Sequence, residues 1–297
     1  MTYREMYFKL QKQNNKYLNN TAIKSLLMDD GNFKDFPNLL MHFNDEIKNP
    51  GKLNNYIDRV SKGEPLQYVL GYAYFVNSNY VVTPDVLIPR QETEELAVGV
   101  LSMIVKMFGK EPKIKIVDIG TGSGILGIYL KEYFPNSTVI CTDISEKSLK
   151  IAQINAKNHH VQIDFRQGDM LEPIKDESEV SVVVSNPPYI GSAETVDPQT
   201  LKYEPHLALF ASPKTKYYEH MFALIDSFVL SSKFLMAFEI GEDMEEELTH
   251  ILETKYIGIM YKFVKDICGK SRFLYIVKDE GITYVAWRFW EGKKSFR

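Results

Sequence analysis

Residues 114–130 read IKIVDIGTGSGILGIYL. A β-rich run, Ile114–Ile119, breaks into Gly120-Thr121-Gly122-Ser123-Gly124 and then into a helical pattern, Ile125-Leu126-Gly127-Ile128-Tyr129-Leu130. Glycines there allow backbone angles closed to other residues and let a ligand approach the main chain, while the following helix offers N–H donors at its N-terminus. The pattern is that of a nucleotide-type site. Gly122-x-Gly124-x-x-Gly127 also satisfies the spacing of a dinucleotide loop, which by itself is a weak signal. Asp118 discriminates between ligands. An acid just before the loop repels a pyrophosphate but helps to order the cationic amino group of an amino-acid moiety, which favours S-adenosylmethionine over NAD.

Working outward, short β-rich runs alternate with longer helical patterns. Strands are expected near 113–119, 137–142, 161–166, 180–185, 234–240, 256–264 and 272–278, and helices at about 92–108, 124–133, 146–157, 217–230 and 243–253. This alternation implies an α/β fold with a mostly parallel, doubly wound sheet. No long helix separates the last two strands, so an antiparallel hairpin is expected at one edge. Before this region, apolar residues recur at helical spacing: Ile23, Leu26 and Leu27, then Leu39, Leu40, Phe43 and Ile47, then Leu53, Tyr56, Ile57 and Val60. These predict a small N-terminal helical domain over 1–71. Residues 72–90 turn β-rich around Asn77-Ser78-Asn79 and predict a hairpin linker, leaving 91–297 as the larger domain. Within it, 282–290 (ITYVAWRFW) is expected to form a final strand or packing arm.

Open sheets bind ligands beyond the carboxyl ends of their strands. Asp143 ends the second strand of the larger domain and can accept both ribose hydroxyls; capping of the next helix by Asp143 or Ser145 is the structural alternative. Asp169 and Met170 follow the third strand. Asp169 suits an adenine amino group or, equally, a turn, and Met170 could cover the ring. The fourth strand, Val180–Val184, runs into Ser185-Asn186-Pro187-Pro188-Tyr189-Ile190. A planar –NH2 group is a poor nucleophile, so methylating it is mainly a matter of orientation. Asn186 offers a side-chain oxygen, Pro187 and Pro188 lack N–H donors that would compete with backbone acceptors, and Tyr189 can lie against a planar amide or base. The prolines also make a stiff strand-ending turn.

The chain resembles the protein-(glutamine-N5) methyltransferases, and in particular the release-factor glutamine methyltransferases. The resemblance rests on Asn186–Tyr189 and Asp118–Gly124 together with Gly63-Glu64-Pro65-Leu66-Gln67-Tyr68-Val69-Leu70-Gly71. It also rests on Leu87-Ile88-Pro89-Arg90 with Glu92-Thr93-Glu94, Tyr203-Glu204-Pro205, Glu239-Ile240-Gly241, and Asp266 with Gly269 and Arg272. Asn-Pro-Pro-Tyr alone is shared with adenine methyltransferases. Gln91 stands where the family usually has proline, Met244 where many members have glutamine, and residues 282–297 have no family counterpart.

The resemblance implies a Rossmann-like class I S-adenosylmethionine-dependent methyltransferase sheet with a small N-terminal helical substrate-recognition domain. It implies catalytic residues Asn186, Pro187, Pro188 and Tyr189, and S-adenosylmethionine held by Gly120, Thr121, Gly122, Ser123, Gly124, Asp143, Asp169, Met170 and Asn186. The implied substrate is the glutamine of the Gly-Gly-Gln motif of peptide-chain release factors. A glutamine of a large-subunit ribosomal protein and the N6 of adenine in nucleic acid are the alternatives.

Composition sets the outer bounds. The chain has 297 residues, is 44% hydrophobic and 25% charged, and carries a formal net charge of −4. That balance gives no global attraction to phosphate backbones, and direct nucleic-acid binding is not expected. No apolar run is long enough to span a bilayer, no signal-peptide core opens the chain, and a cytoplasmic, non-membrane protein is expected. Cys141 and Cys268 show no metal-binding spacing and are expected to be reduced, partly buried thiols, with no metal site. His159, His160 and His206 are read as solvated loop side chains, Glu239 as an orienting group, and 191–216 as a segment that folds over the acceptor.

Overall fold

The structure is a computed structural model and describes residues 1–279. The expected strand or arm at 282–290 lies outside the described residues.

Residues Met1–Tyr72, with Val82–Pro84 and Asp197–Tyr203, form a helical unit. It contains α1 (Tyr3–Gln11), α2 (Asn20–Gly31), α3 (Phe36–Met41), α4 (Pro50–Ser61) and α5 (Leu66–Leu70). Helix α1 is absent from the sequence reading, yet it buries one face through Tyr3, Met6, Tyr7 and Leu10. Its start is fixed by a capping box: Thr2 Oγ1 accepts the Glu5 N–H at 3.2 Å, and Thr2 N–H donates to Glu5 Oε2 at 2.9 Å. The Leu39–Ile47 segment is not one helix, because α3 ends at Met41 and leaves Phe43 and Ile47 beyond it. Buried Asp30 joins three segments of this unit, accepting from the Tyr3 hydroxyl at 2.7 Å and from the Lys48 and Asn49 N–H groups at 3.0 Å each. In the Gly63-Glu64-Pro65 stretch, Glu64 takes a two-pronged bond from Arg59 at 2.8 and 2.5 Å, and the Gly63 carbonyl accepts from Gln199 Nε2 at 2.9 Å.

The second unit holds Ala73–Val81, Asp85–Val196 and, among the described residues, 204–279. The hairpin of β1 (Tyr72–Phe75) and β2 (Ser78–Val81) belongs to it from Ala73 on, and its turn falls at Val76-Asn77, just ahead of the expected Asn77-Ser78-Asn79. Then come α6 (Gln91–Phe108), β3 (Lys115–Ile119), α7 (Ile125–Tyr133), β4 (Thr138–Asp143), α8 (Glu146–Asn158), β5 (Asp164–Gln167) and β6 (Val180–Ser185). After α9 (Pro198–Tyr203), which belongs to the helical unit, follow α10 (Lys216–Phe222), β7 (Leu230–Glu239), α11 (Glu245–Lys255), β8 (Met260–Lys265) and β9 (Ser271–Lys278).

Seven strands form one sheet in the order β5-β4-β3-β6-β7-β9-β8. The first five are parallel, and the expected hairpin closes the edge, with β9 antiparallel to both β7 and β8. Strand β6 is buried along its whole length, as a central parallel strand packed on both faces must be. One core layer joins α6 and α7 to one face of the sheet, through Leu96, Val100, Ile104, Ile128 and Leu130. A second joins α10 and α11 to the other, through Tyr218, Phe222, Leu248 and Leu252. The helix expected over 217–230 stops at Phe222 and passes through a 3-10 turn at Ala223–Asp226. Ser227 then donates to the Leu224 carbonyl and accepts the Val229 N–H, which ends the turn and starts β7 early.

Candidate functional site

Strand β3 has β4 on one side and β6 on the other, so chain order reverses there, and a cleft opens beyond the carboxyl ends of these strands. A cavity occupies it. Its walls include Asp118 and Gly120–Ser123 after β3, Asp143 and Ile144 after β4, Gly168–Met170 after β5, and Asn186 and Pro188 after β6. Gly124, Pro187 and Tyr189 are not among the cavity-lining residues.

Gly120, Gly122 and Gly124 all take left-handed backbone angles, with φ of 69°, 57° and 85°. Gly127 is a packing glycine instead: a Cβ there would sit 2.2 Å from Cys141 Sγ. The Gly127 N–H also donates to Asp118 Oδ2 at 3.0 Å, and the Thr121 hydroxyl donates to the same oxygen at 2.6 Å. Asp118 Oδ1, in a residue only 1% exposed, has no partner among the described residues. Burial pushes the Asp118 carboxyl up to about 7, against the pull of the Thr121 and Gly127 bonds.

Asp143 accepts the Gly122 N–H at 2.9 Å through Oδ2 and the Ser145 N–H at 2.8 Å through Oδ1. Burial raises its carboxyl above the usual range. Capping of α8 falls to Ser145, whose hydroxyl accepts from the Ser148 N–H. Asp169 is exposed at the cavity wall, and the neighbouring half-buried Met170 holds a left-handed angle, φ 45°.

Asn155 gave no sequence signal, and Thr93 stood in a quoted stretch without a task assigned to it. Asn155 on α8 is fully buried; its Nδ2 donates to the carbonyls of Val81 and Ser123, and its Oδ1 accepts the Val81 N–H at 2.7 Å. It thereby ties β2 to the glycine loop. Thr93, near the start of α6, is 2% exposed; its hydroxyl donates to Glu239 Oε2 at 2.6 Å and accepts from Asn186 Nδ2 at 3.0 Å. The Tyr189 hydroxyl reaches the other Glu239 oxygen at 3.1 Å. Burial, together with the Glu239 charge, drives the Tyr189 phenol well above its ordinary value.

The Ile88-Pro89-Arg90 and Glu204-Pro205 stretches meet. Glu204 accepts the Ile88 N–H at 3.1 Å and pairs with Arg90 at 2.5 Å, holding Pro89 and Pro205 at the cavity wall beside the half-exposed Leu207. His159 is not a solvated side chain. Its ring stacks on Tyr80 at 4.2 Å and bonds Glu132 and the Asn79 carbonyl. Cys141 is buried in β4, whereas Cys268 is exposed rather than partly buried. Among the described residues, no helix is long and apolar enough to cross a membrane.

The methyltransferase small domain matches residues 99–202. Release factor glutamine methyltransferase of Bacillus cereus is 36% identical over 242 residues, covering 80% of this chain and 85% of that protein. The chain belongs to the release factor glutamine methyltransferase family. A second member of that family, from Staphylococcus aureus, is 37% identical over 232 residues, covering 75% of this chain and 79% of its own. The catalytic domain of hMettl16, solved in complex with MAT2A 3'UTR hairpin 6, shares the fold at 13% identity with a TM-score of 0.53, over 69% of this chain and 77% of that one. Family and fold make the protein an S-adenosylmethionine-dependent methyltransferase with a Rossmann-like class I sheet.

The residues present fit that cofactor. A buried carboxylate oxygen without a donor, in a residue that lines the cavity, is what a methionine ammonium group would satisfy. Asp143 retains free lone pairs for ribose hydroxyls, since each of its oxygens accepts one bond.

Proposed function

We propose that the protein transfers the methyl group of S-adenosylmethionine to the side-chain amide nitrogen of the glutamine in the Gly-Gly-Gln motif of peptide-chain release factors. Asn186 carries this reading: it lines the cavity and has its Nδ2 committed to Thr93, so Oδ1 is left as an acceptor. Bound in the cleft, S-adenosylmethionine supplies an electrophilic methyl group.

The chain's own residues do the rest by position. Asp118 accepts the ammonium group, the backbone of Gly120–Gly124 passes beneath the methionine moiety, Asp143 accepts the ribose hydroxyls, and Asp169 and Met170 border the adenine. Asn186 Oδ1 and the Pro187 carbonyl accept the two amide hydrogens of the glutamine, turning its nitrogen lone pair toward the methyl. Pro187 and Pro188 bring no N–H donors to that rim. Tyr189 stiffens the motif through its bond to Glu239. Glu239 has both oxygens engaged and does not line the cavity, so it orients the site and takes no proton from the substrate. The helical unit recognises the release factor, and a cytoplasmic location accords with that substrate.

The test offers methyl-labelled S-adenosylmethionine together with purified release factor, large-subunit ribosomal protein or DNA. Label on the release factor is expected. Label confined to ribosomal protein or to DNA overturns the assignment.

A further inference from the structure

Glu239, Thr93 and Asn186 lie in series, and counting their protons fixes a direction along them. Thr93 donates its single hydroxyl hydrogen to Glu239 Oε2 across 2.6 Å. What Thr93 then shows to Asn186 is lone pair alone. The nitrogen end of the Asn186 amide must therefore face it, at 3.0 Å, and the oxygen end is turned away. The two ends of an asparagine amide are nearly the same shape, so packing alone discriminates poorly between this orientation and its flip. A flipped Asn186 would present –NH2 to an incoming –NH2 and bind nothing.

We infer that Thr93 is a positioning residue for methyl transfer: anchored by Glu239, it sets the Asn186 amide so that Oδ1 is the acceptor offered to the substrate nitrogen. This rests on the proposed function, and it gives the Glu92-Thr93-Glu94 stretch at the start of α6 a chemical task. The same carboxylate anchors Tyr189 through its second oxygen, so both polar side chains of Asn186–Tyr189 are held from one buried point. Burial raises the Glu239 carboxyl above its usual range, the bonds from Thr93 and Tyr189 draw it back down, and the charges of Glu92 and Arg272 act on it in opposite directions.

The experiment compares wild type with Thr93→Val, which keeps the side chain's shape, with Thr93→Ser, which keeps the hydroxyl, and with Glu239→Gln, whose amide can face Thr93 by either end. Four readouts are taken: kcat and KM with release factor, S-adenosylmethionine affinity by calorimetry, and the side-chain amide resonances of Asn186 by NMR. Thr93→Val is expected to lower kcat about a hundredfold. Its KM and cofactor affinity are expected to stay within roughly threefold of wild type. Glu239→Gln is expected to lower kcat about tenfold. Thr93→Ser is expected to recover most of the wild-type rate. The Asn186 amide protons should shift in Thr93→Val and keep their wild-type positions in Thr93→Ser.

A Thr93→Val enzyme as fast as wild type, unchanged Asn186 resonances in that variant, or a serine variant as slow as the valine variant overturns the inference. If wild type leaves the release factor unmethylated while the resonances respond as stated, the relay stands and the substrate assignment falls. If wild type methylates the release factor and Thr93→Val does so equally fast, the assignment stands and the relay falls.

Discussion

The Thr121 hydroxyl donates to Oδ2 of Asp118 across 2.6 Å, and the other oxygen of that cavity-lining carboxylate has no hydrogen-bond partner among the described residues. A buried acceptor left open costs free energy that nothing inside the cofactor-free protein returns. On the proposed role of Asp118, stability and cofactor binding therefore oppose one another at this residue.

Asp118→Asn separates the two. The amide can keep the bonds from Thr121 and Gly127 with its oxygen and carries no charge. At about pH 8 the cofactor-free variant is expected to be ~2 kcal/mol more stable than wild type, by thermal or urea unfolding. Its affinity for S-adenosylmethionine is expected to fall about a hundredfold, because the ammonium loses its charged partner. A variant that binds cofactor as tightly as wild type would remove Asp118 from the site.

The raised Asp118 carboxyl also sets a pH dependence. Its pKa is about 7 in the folded protein against an ordinary 3.8, so between those values the folded state holds a proton that the unfolded state has lost. This contribution to stability is fully present below the unfolded value and is lost as pH rises through about 7. Cofactor binding runs the other way. On the proposed pairing of the ammonium group with the ionised carboxylate, affinity should strengthen as pH rises through that region, with proton release detectable by calorimetry in buffers of different ionisation enthalpy. Asp118→Asn should show neither the stability slope nor the proton release.

Replacing Asn186 by alanine removes the acceptor while leaving Asp118, Asp143 and the glycine loop in place. Cofactor affinity should change by less than about threefold, while kcat falls by about three orders of magnitude. Turnover near the wild-type rate would show that the acceptor lies elsewhere.

Asn155 is a test of architecture. Alanine there strands the Val81 N–H and leaves the Val81 and Ser123 carbonyls without their partner. Unfolding measurements should show a loss of about 3 kcal/mol, and cofactor affinity should weaken as the glycine loop loses its support. A loss below about 0.5 kcal/mol would mean that these backbone groups find other partners.

What could be read from the sequence follows the range of the interactions. Ile114–Leu130 announces a strand, a loop and a helix because glycine spacing and apolar periodicity are local properties, and the acids at the ends of β3 and β4 fall where that reading places them. Asn155 and Thr93 could not be found this way. Asn155 sits in an ordinary polar helix face by pattern, and its role depends on β2, which is brought beside α8 by tertiary structure. Thr93 acquires its meaning only when the end of β7 delivers Glu239 to the start of α6. Helix α1 is a different case: Thr2 and Glu5 carried a capping signal, and Tyr3, Met6, Tyr7 and Leu10 carried a helical period, but both are hidden in a stretch dominated by charged and polar residues. His159 at the end of α8 resembled any loop histidine until its stacking on Tyr80 was visible.

The most direct measurement is a tandem mass spectrum of the release-factor peptide containing Gly-Gly-Gln, taken after reaction with S-adenosylmethionine carrying an isotopically labelled methyl group. One added methyl, localised by fragmentation to the glutamine side-chain amide, is the result expected. A methyl on any other residue, or an unmodified Gly-Gly-Gln peptide while another macromolecule in the same reaction takes up the label, would contradict it.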